Sequence, residues 1–304
     1  MATRILLTGS NGLLGQKIVS QLLERKSLEF LATARNQNRH PQRGQFAFLS
    51  LDITDPEQIA SAFKEFEPQV VINTAAQTQV DFCEDNQEEC DLVNISAVKY
   101  LAEACKEYGV KLVHISTDFV FDGANGPYRE GDVPNPVNYY GRSKLLGEQA
   151  LVESGADYVI LRTILLYGIT PAMSRSNIVL WAKGALEQGK SIKAVNDQWR
   201  CPTLAEDLAY ASIEAAIRPV NGIYHISGPD LYRIDEIVKE VATFWQLDAD
   251  LIGETDSPSL NQRAKRPAKT GFVIDKARQD LDYHPKDLRT GLALLSQQME
   301  ALAL

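Results

Sequence analysis

Three observations predict an α/β chain with a doubly wound parallel sheet and a smaller C-terminal α/β lobe. A glycine-rich turn joins an apolar run to a helix-periodic stretch near the N-terminus; short apolar runs then alternate with amphipathic segments as far as residue 163; beyond it, prolines break the rhythm. In the first unit, Ile5-Leu6-Leu7 precedes Gly9-Ser-Asn-Gly12-Leu-Leu-Gly15, and Leu13, Leu14, Ile18 and Leu22 follow at helical spacing. A strand, a glycine turn and a helix in that order suit a dinucleotide. The pyrophosphate must approach backbone closely, and the helix N-terminus offers unpaired N–H groups to negative charge. Gly9, Asn11, Gly12, Leu13, Leu14 and Gly15 are therefore expected at the cofactor.

The alternation continues with strands at Leu28 to Ala34 and Phe46 to Leu51, a helix from Ile59 to Phe66 and a strand at Val70-Val71-Ile72. A long helix from Leu92 to Tyr108, a buried strand from Leu112 to Ile115, a helix from Tyr140 to Leu151 and a strand from Tyr158 to Leu161 complete it. Strands this short and apolar, separated by amphipathic helices, imply right-handed crossovers and a parallel sheet covered on both faces, a Rossmann-type arrangement. After Thr163, prolines at 171, 202, 219, 229, 258 and 267 mark a second lobe, while the helix Leu204 to Ile217 and the strand Ile223 to Ile226 are regular enough to rejoin the first. The expected division is 1–163 plus 203–228 for the dinucleotide-binding domain, and 164–202 plus 229–304 for the substrate lobe.

Composition narrows the function. The 304 residues are 44% hydrophobic, enough for a sizeable core, and the net charge of -9 argues against a nucleic-acid surface. No apolar run approaches the ~18 residues of a membrane span and no secretory signal is evident, so a cytoplasmic protein is expected. Cys83, Cys90, Cys105 and Cys201 show neither metal nor redox spacing and are expected as reduced thiols.

Ligands of such sheets bind beyond the carboxyl ends of the strands, so the residues there carry the chemistry. Where an acidic residue would select NAD, this chain has Arg35 and Arg39, which suit a 2′-phosphate and favour NADPH over NADH. Asp52 and Ile53 are placed to meet adenine, and Ala75 and Ala76 are small where backbone must pass the cofactor. Tyr140 and Lys144 are four apart on one helical face, so the ammonium is expected to stand near the phenol and lower its pKa. Ser116-Thr117-Asp118 ends the strand before them; a hydroxyl there can stabilise a developing alkoxide, or cap the next turn. Asn94, polar within an apolar helix, is expected to anchor a water near the site or to be a satisfied core group.

Gly9/Gly12/Gly15, Asn73-Thr-Ala-Ala76, Ser116-Thr117-Asp118 and Tyr140-x-x-x-Lys144 together resemble the extended short-chain dehydrogenase/reductase superfamily over nearly the whole chain. His114-Ile-Ser-Thr-Asp-Phe-Val-Phe-Asp-Gly123, Pro127-Tyr128, Tyr140-Gly-Arg-Ser-Lys-Leu-Leu-Gly-Glu148, Asp197-Gln198, Pro202-Thr203 and Arg266-Pro267 resemble its dTDP-4-dehydrorhamnose reductase family. The resemblance implies NADPH-dependent reduction of the 4-keto group of a nucleotide-linked 6-deoxy sugar. Tyr140 would be the proton donor, Thr117 would bond the carbonyl, and Lys144 would hold the nicotinamide ribose. Substrate contacts are expected at Thr78, Val80, Phe119, Asn177, Arg200 and Arg266, with Arg200, which resembles a diphosphate-binding arginine of sugar-nucleotide epimerases, and Arg266 clamping the diphosphate. The chain departs from that family where Ile164-Leu165 replaces a usual Ser-Trp, and where Arg200 replaces a small residue. The same site would serve a reductase or epimerase of another nucleotide sugar, or a non-catalytic NADP-binding subunit such as the regulatory subunit of methionine adenosyltransferase. Some relatives are described as magnesium-dependent, but no His or carboxylate cluster at ligand spacing supports a metal here. A homodimer is allowed for; the sequence leaves the assembly open.

Overall fold

The structure, a computed structural model, describes residues 2–171, 173 and 175–302. Its first half runs β1 (Thr3–Thr8), α1 (Leu13–Glu24), β2 (Leu28–Ala34), β3 (Ala47–Ser50), α2 (Pro56–Phe66), β4 (Val70–Asn73), α3 (Val80–Asp85), α4 (Gln87–Asp91), α5 (Ala97–Tyr108), β5 (Lys111–Thr117), α6 (Tyr139–Ser154) and β6 (Tyr158–Thr163). The second half adds β7 (Leu166–Tyr167), α7 (Ile178–Glu187), β8 (Ile192–Val195), β9 (Trp199–Arg200), β10 (Thr203–Leu204), α8 (Ala205–Ile217), β11 (Gly222–Ile226), β12 (Tyr232–Arg233), α9 (Ile234–Phe244), β13 (Ile252–Thr255), α10 (Asp275–Leu281) and α11 (Leu288–Ala301).

Seven strands form one parallel sheet in the order β3-β2-β1-β4-β5-β6-β11. The order reverses between β1 and β4, which opens a crevice at their carboxyl ends, where a nucleotide is bound in folds of this kind. Ile18 and Leu22 of α1 and Leu208 and Ile213 of α8 cover one face of the sheet. Ile59 and Phe63 of α2, Val98 and Leu101 of α5, and Leu151 of α6 cover the other. The period-3.6 apolar stripes thus lie where the sequence places them. Helix α2 starts earlier than its apolar residues indicate, because the Asp55 carboxylate accepts bonds from the Glu57 and Gln58 N–H groups and Pro56 occupies the first turn.

Two features differ from expectation. The helix expected from Leu92 begins at Gln87, and Leu92–Ser96 is a π turn between α4 and α5. Apolar periodicity does not register one extra residue per turn, so such an insertion is invisible to it. The second lobe has its own core, with Val179, Ala182, Ile237, Val241, Leu292 and Leu295 around Tyr167. Part of the tail assigned above to that lobe packs instead on the first: Phe272, Ile274, Ala277, Leu281 and Tyr283 join the cluster beneath α1 and α8.

Candidate active site

A cleft of about 690 Å³ opens along the carboxyl edge of the sheet, between the glycine turn and the second lobe. The turn forms its floor. Gly9 has φ +72°, and a Cβ there would stand 2.6 Å from Thr74 Oγ1 and 2.7 Å from the Ala75 nitrogen. A Cβ on Gly15 would lie 2.3 Å from the Gly9 carbonyl oxygen. Gly12 caps α1 without a side-chain bond, leaving the first-turn N–H groups for an anion. This cradle suits a dinucleotide pyrophosphate. Asn11 braces it, its Nδ2 donating to the Gln37 carbonyl (2.9 Å) and its Oδ1 accepting from the Arg39 N–H (2.8 Å). Arg35 and Arg39 stand exposed on that loop.

Gly12, Leu13, Leu14, Gly15, Ala76, Ser116, Thr117, Tyr140 and Lys144 line the cleft. Asp52, Ile53, Ala75 and Asn94 do not form its wall. The Asp52 carboxylate caps its own turn, accepting from the Thr54 N–H and hydroxyl, and Ile53 is buried under α2. Asn94 takes the second of its two expected roles, a satisfied core group, and not that of a cofactor contact: it is fully buried, its Oδ1 accepts from the Gln77 N–H (2.9 Å), and its Nδ2 donates to the Gln77 carbonyl (3.0 Å) and Ser143 Oγ (3.0 Å). The π turn aims it at the Gln77 loop, so its polar atoms are spent on protein; it positions that loop rather than touching the cleft.

Tyr140 and Lys144 enter from the first turns of α6, whose start is capped by Asn138 Oδ1 accepting from the Gly141 N–H (2.8 Å). Thr117 ends β5, and its Oγ1 accepts from the Phe119 N–H (3.2 Å), so it caps the following turn as well as lining the cleft. Beside it, Ser116 Oγ is buried with no protein partner, an orphan hydroxyl on the cleft wall within the Ser116-Thr117-Asp118 run, of which the sequence assigned only Thr117. The phenol of Tyr140 differs from expectation: burial pushes its pKa up, and the Thr117 hydrogen bond opposes this without prevailing. Lys144 is pushed down to about 8 by burial, and its Nζ donates to the Ile115 carbonyl (2.8 Å) and meets His114 Nε2 (3.1 Å). Helical spacing brings phenol and amine to one face, but β5 decides where the amine points. Behind Tyr140, Cys83 and Cys90 are free thiols whose sulfurs lie 2.6 Å apart, a meeting their seven-residue separation did not signal.

The substrate side is more occupied. Arg200 lines the cleft but is 3% exposed; its Nη1 donates to the Trp199 and Ala268 carbonyls and its Nη2 to Gln198 Oε1 and the Pro267 carbonyl. Its Nε stands 3.7 Å from Asp118, whose carboxyl burial pushes up and Thr270 also bonds. Arg266 makes a two-bond pair with Asp81 (2.6 and 2.7 Å). Asn177 caps α7 and donates to the Gly168 carbonyl. The Phe119 ring packs edge-on to Tyr140 and under Arg200, while Thr78 and Val80 line the mouth. One residue here was missed: Arg175 crosses the mouth to donate to Thr78 Oγ1 (2.9 Å), and nothing in its local sequence marks it. Leu165, singled out by the departure from Ser-Trp, lines the cleft at φ +41°, a conformation rare for a branched residue.

A dinucleotide cradle facing a tyrosine, a lysine and a threonine defines an NAD(P)-dependent oxidoreductase of the extended short-chain dehydrogenase/reductase superfamily. The family model described as the RmlD substrate binding domain matches residues 3–301, and the chain belongs to that family. It is 31% identical to the dTDP-4-dehydrorhamnose reductase of Aggregatibacter actinomycetemcomitans, over 95% of this chain and 97% of that protein. It is also 31% identical to methionine adenosyltransferase 2 subunit beta of Xenopus tropicalis, over 84% of this chain and 76% of the relative. The crystal structure of dTDP-4-dehydrorhamnose reductase from Bacillus anthracis in complex with NADP superposes with a TM-score of 0.83 at 27% identity, covering 98% of this chain and 100% of that one. Among the described residues no helix is long and apolar enough to cross a membrane, and no group of three or more His, Cys, Asp or Glu is placed to hold a metal ion.

Proposed function

We propose that this protein uses NADPH to reduce the 4-keto group of a nucleotide-linked 6-deoxy sugar, taking dTDP-4-dehydrorhamnose to dTDP-L-rhamnose. The observation that carries the reading is the convergence of Thr117, Ser116 and Tyr140 on one wall of a cleft floored by the glycine cradle. The cofactor, when bound, supplies the hydride that reaches C4. The turn from Gly9 to Gly15 and Lys144 hold it, and Arg35 and Arg39 provide cationic partners for a 2′-phosphate. The Thr117 hydroxyl, turned away from Asp118 Oδ1, to which it donates at 3.2 Å, donates to the carbonyl oxygen and stabilises the charge that grows there. Tyr140 then gives its phenolic proton to that oxygen, completing the alcohol. A phenol kept protonated by burial is in the right state for this role. Arg266 and Arg175, at the mouth, are the residues we assign to the diphosphate and nucleotide. In this reading the cleft lies between a dinucleotide-binding lobe and a substrate lobe, with residues 272–283 belonging to the first.

The test is NADPH oxidation, followed by absorbance, with the dTDP-4-keto-6-deoxy sugar generated in place, beside Tyr140→Phe. Loss of about 10²–10⁴-fold in turnover with unchanged NADPH affinity is expected of a removed general acid. The 31% identity to a methionine adenosyltransferase subunit favours a second reading, a regulatory NADP-binding subunit. Tight NADPH binding with no turnover of any nucleotide sugar would select it.

A further inference from the structure

A chain of buried polar groups runs beneath the cleft from β1 to α6: Thr8, Asn73, His114 and Lys144. Its hydrogens can be assigned from one fixed point. The Ala75 backbone N–H can only donate, and it faces Asn73 Oδ1 at 3.2 Å, which Thr8 Oγ1 also reaches at 2.6 Å. The other end of that amide is therefore Nδ2, which donates to His114 Nδ1 at 3.1 Å. An Nδ1 that accepts leaves the ring proton of a neutral imidazole on Nε2. The ring is neutral, because complete burial holds its pKa well below the usual value. Nε2 stands 3.1 Å from Lys144 Nζ, where a donor meets a compatible partner only if the lysine nitrogen has a lone pair.

We propose that His114 sets the charge of Lys144: locked by Asn73 as the Nε2–H tautomer, it donates to the lysine nitrogen and favours the amine over the ammonium. An ammonium at this site would need the Nδ1–H tautomer, an inverted Asn73 amide and an Ala75 N–H facing an NH₂ group. The charge on Lys144 is thereby linked to the loop that touches the glycine turn at Gly9. The remaining charged or titratable neighbours of Lys144 are Glu148 and Tyr140 on α6 and Cys90 on α4; Glu148 is engaged two-fold by Arg162 of β6. Burial acts in the same direction as His114. His114 is thus a positioning residue acting through Lys144.

The test is long-range proton–nitrogen NMR of the full-length protein with isotopically labelled histidine at about pH 9, where an unperturbed lysine is still an ammonium. The four histidines are told apart by the signals lost in His114→Gln. The expected result is an Nε2–H ring for His114, converted to Nδ1–H by the near-isosteric Asn73→Asp, whose carboxylate accepts from Nδ1. An Nδ1–H ring in the unsubstituted protein overturns the proposal. A second arm rests on the function proposed above: the alkaline limb of NADPH turnover should move up by at least one pH unit in Asn73→Asp and His114→Gln. A limb unmoved in both, with turnover present, also overturns it. Absence of turnover with any sugar would count against the proposed reaction, while the tautomer would still be read.

Discussion

In the cofactor half of the cleft the working groups are backbone. First-turn N–H groups of α1 are uncapped, and Gly9 and Gly15 leave room that any side chain would fill. In the substrate half they are side chains, and most are engaged already: Arg200 on three carbonyls and Gln198, Arg266 on Asp81, Asn177 on Gly168. The contrast separates two ways of making a site. The first is prepared by what is missing, and a short segment suffices for it. The second is built by groups far apart in sequence that hold one another, so a polar residue in the wall is not thereby a ligand contact.

The sharpest test of the contrast is Arg200→Ala. The four hydrogen bonds its guanidinium donates vanish from a buried place together with the cation facing Asp118, so a stability loss of about 3–5 kcal/mol by denaturant titration is expected, with Asp118 left buried without its cation. Full stability with a raised substrate KM would instead make Arg200 a clamp. Gly15→Ala attacks the other half: its Cβ collides with the Gly9 carbonyl oxygen, and NADPH affinity should fall about 100-fold, roughly 2.7 kcal/mol. A fluorescence titration reads it.

Acid separates the halves again. Burial holds His225 down to about 3, and His114 is also held low, so the unfolded chain takes up protons below about pH 6.5 that the folded one refuses. The contribution of these histidines to stability should therefore be complete above about pH 6.5 and fall below it, by about 1.4 kcal/mol per pH unit for each histidine. Asp81, held below the usual carboxylate range by Arg266, gives stability that is lost only as pH falls below about 4. Urea midpoints at pH 7.5, 5.5 and 3.5 (about one step each side of these windows) check the order, and His225→Gln should flatten the first slope.

Arg35→Ala should weaken NADPH by about tenfold and leave NADH unchanged, as expected of one charge-assisted phosphate contact. Equal weakening of both would remove Arg35 from 2′-phosphate recognition. Arg266→Ala is expected to change stability by less than about 1 kcal/mol, because Asp81 is half in solvent, while raising substrate KM. A changed Tm with an unmoved KM would leave Arg266 as a brace only.

Local pattern was enough for the parallel sheet, the helices on both faces, the glycine turn, and the placement of Thr117, Tyr140 and Lys144 on one wall, because strand ends and helical faces follow from spacing over a few residues. It was also enough to nominate Arg35 and Arg39, which stay exposed where a loop leaves them. Tertiary structure alone decided that Lys144 meets His114, that Asn94 serves the Gln77 loop through a π turn, that Arg200 is consumed by carbonyls from residues 199, 267 and 268, and that Arg175 crosses the mouth. Each depends on a contact between segments distant in the chain, and whether a polar group is free or satisfied is a property of those contacts rather than of the residue that carries it.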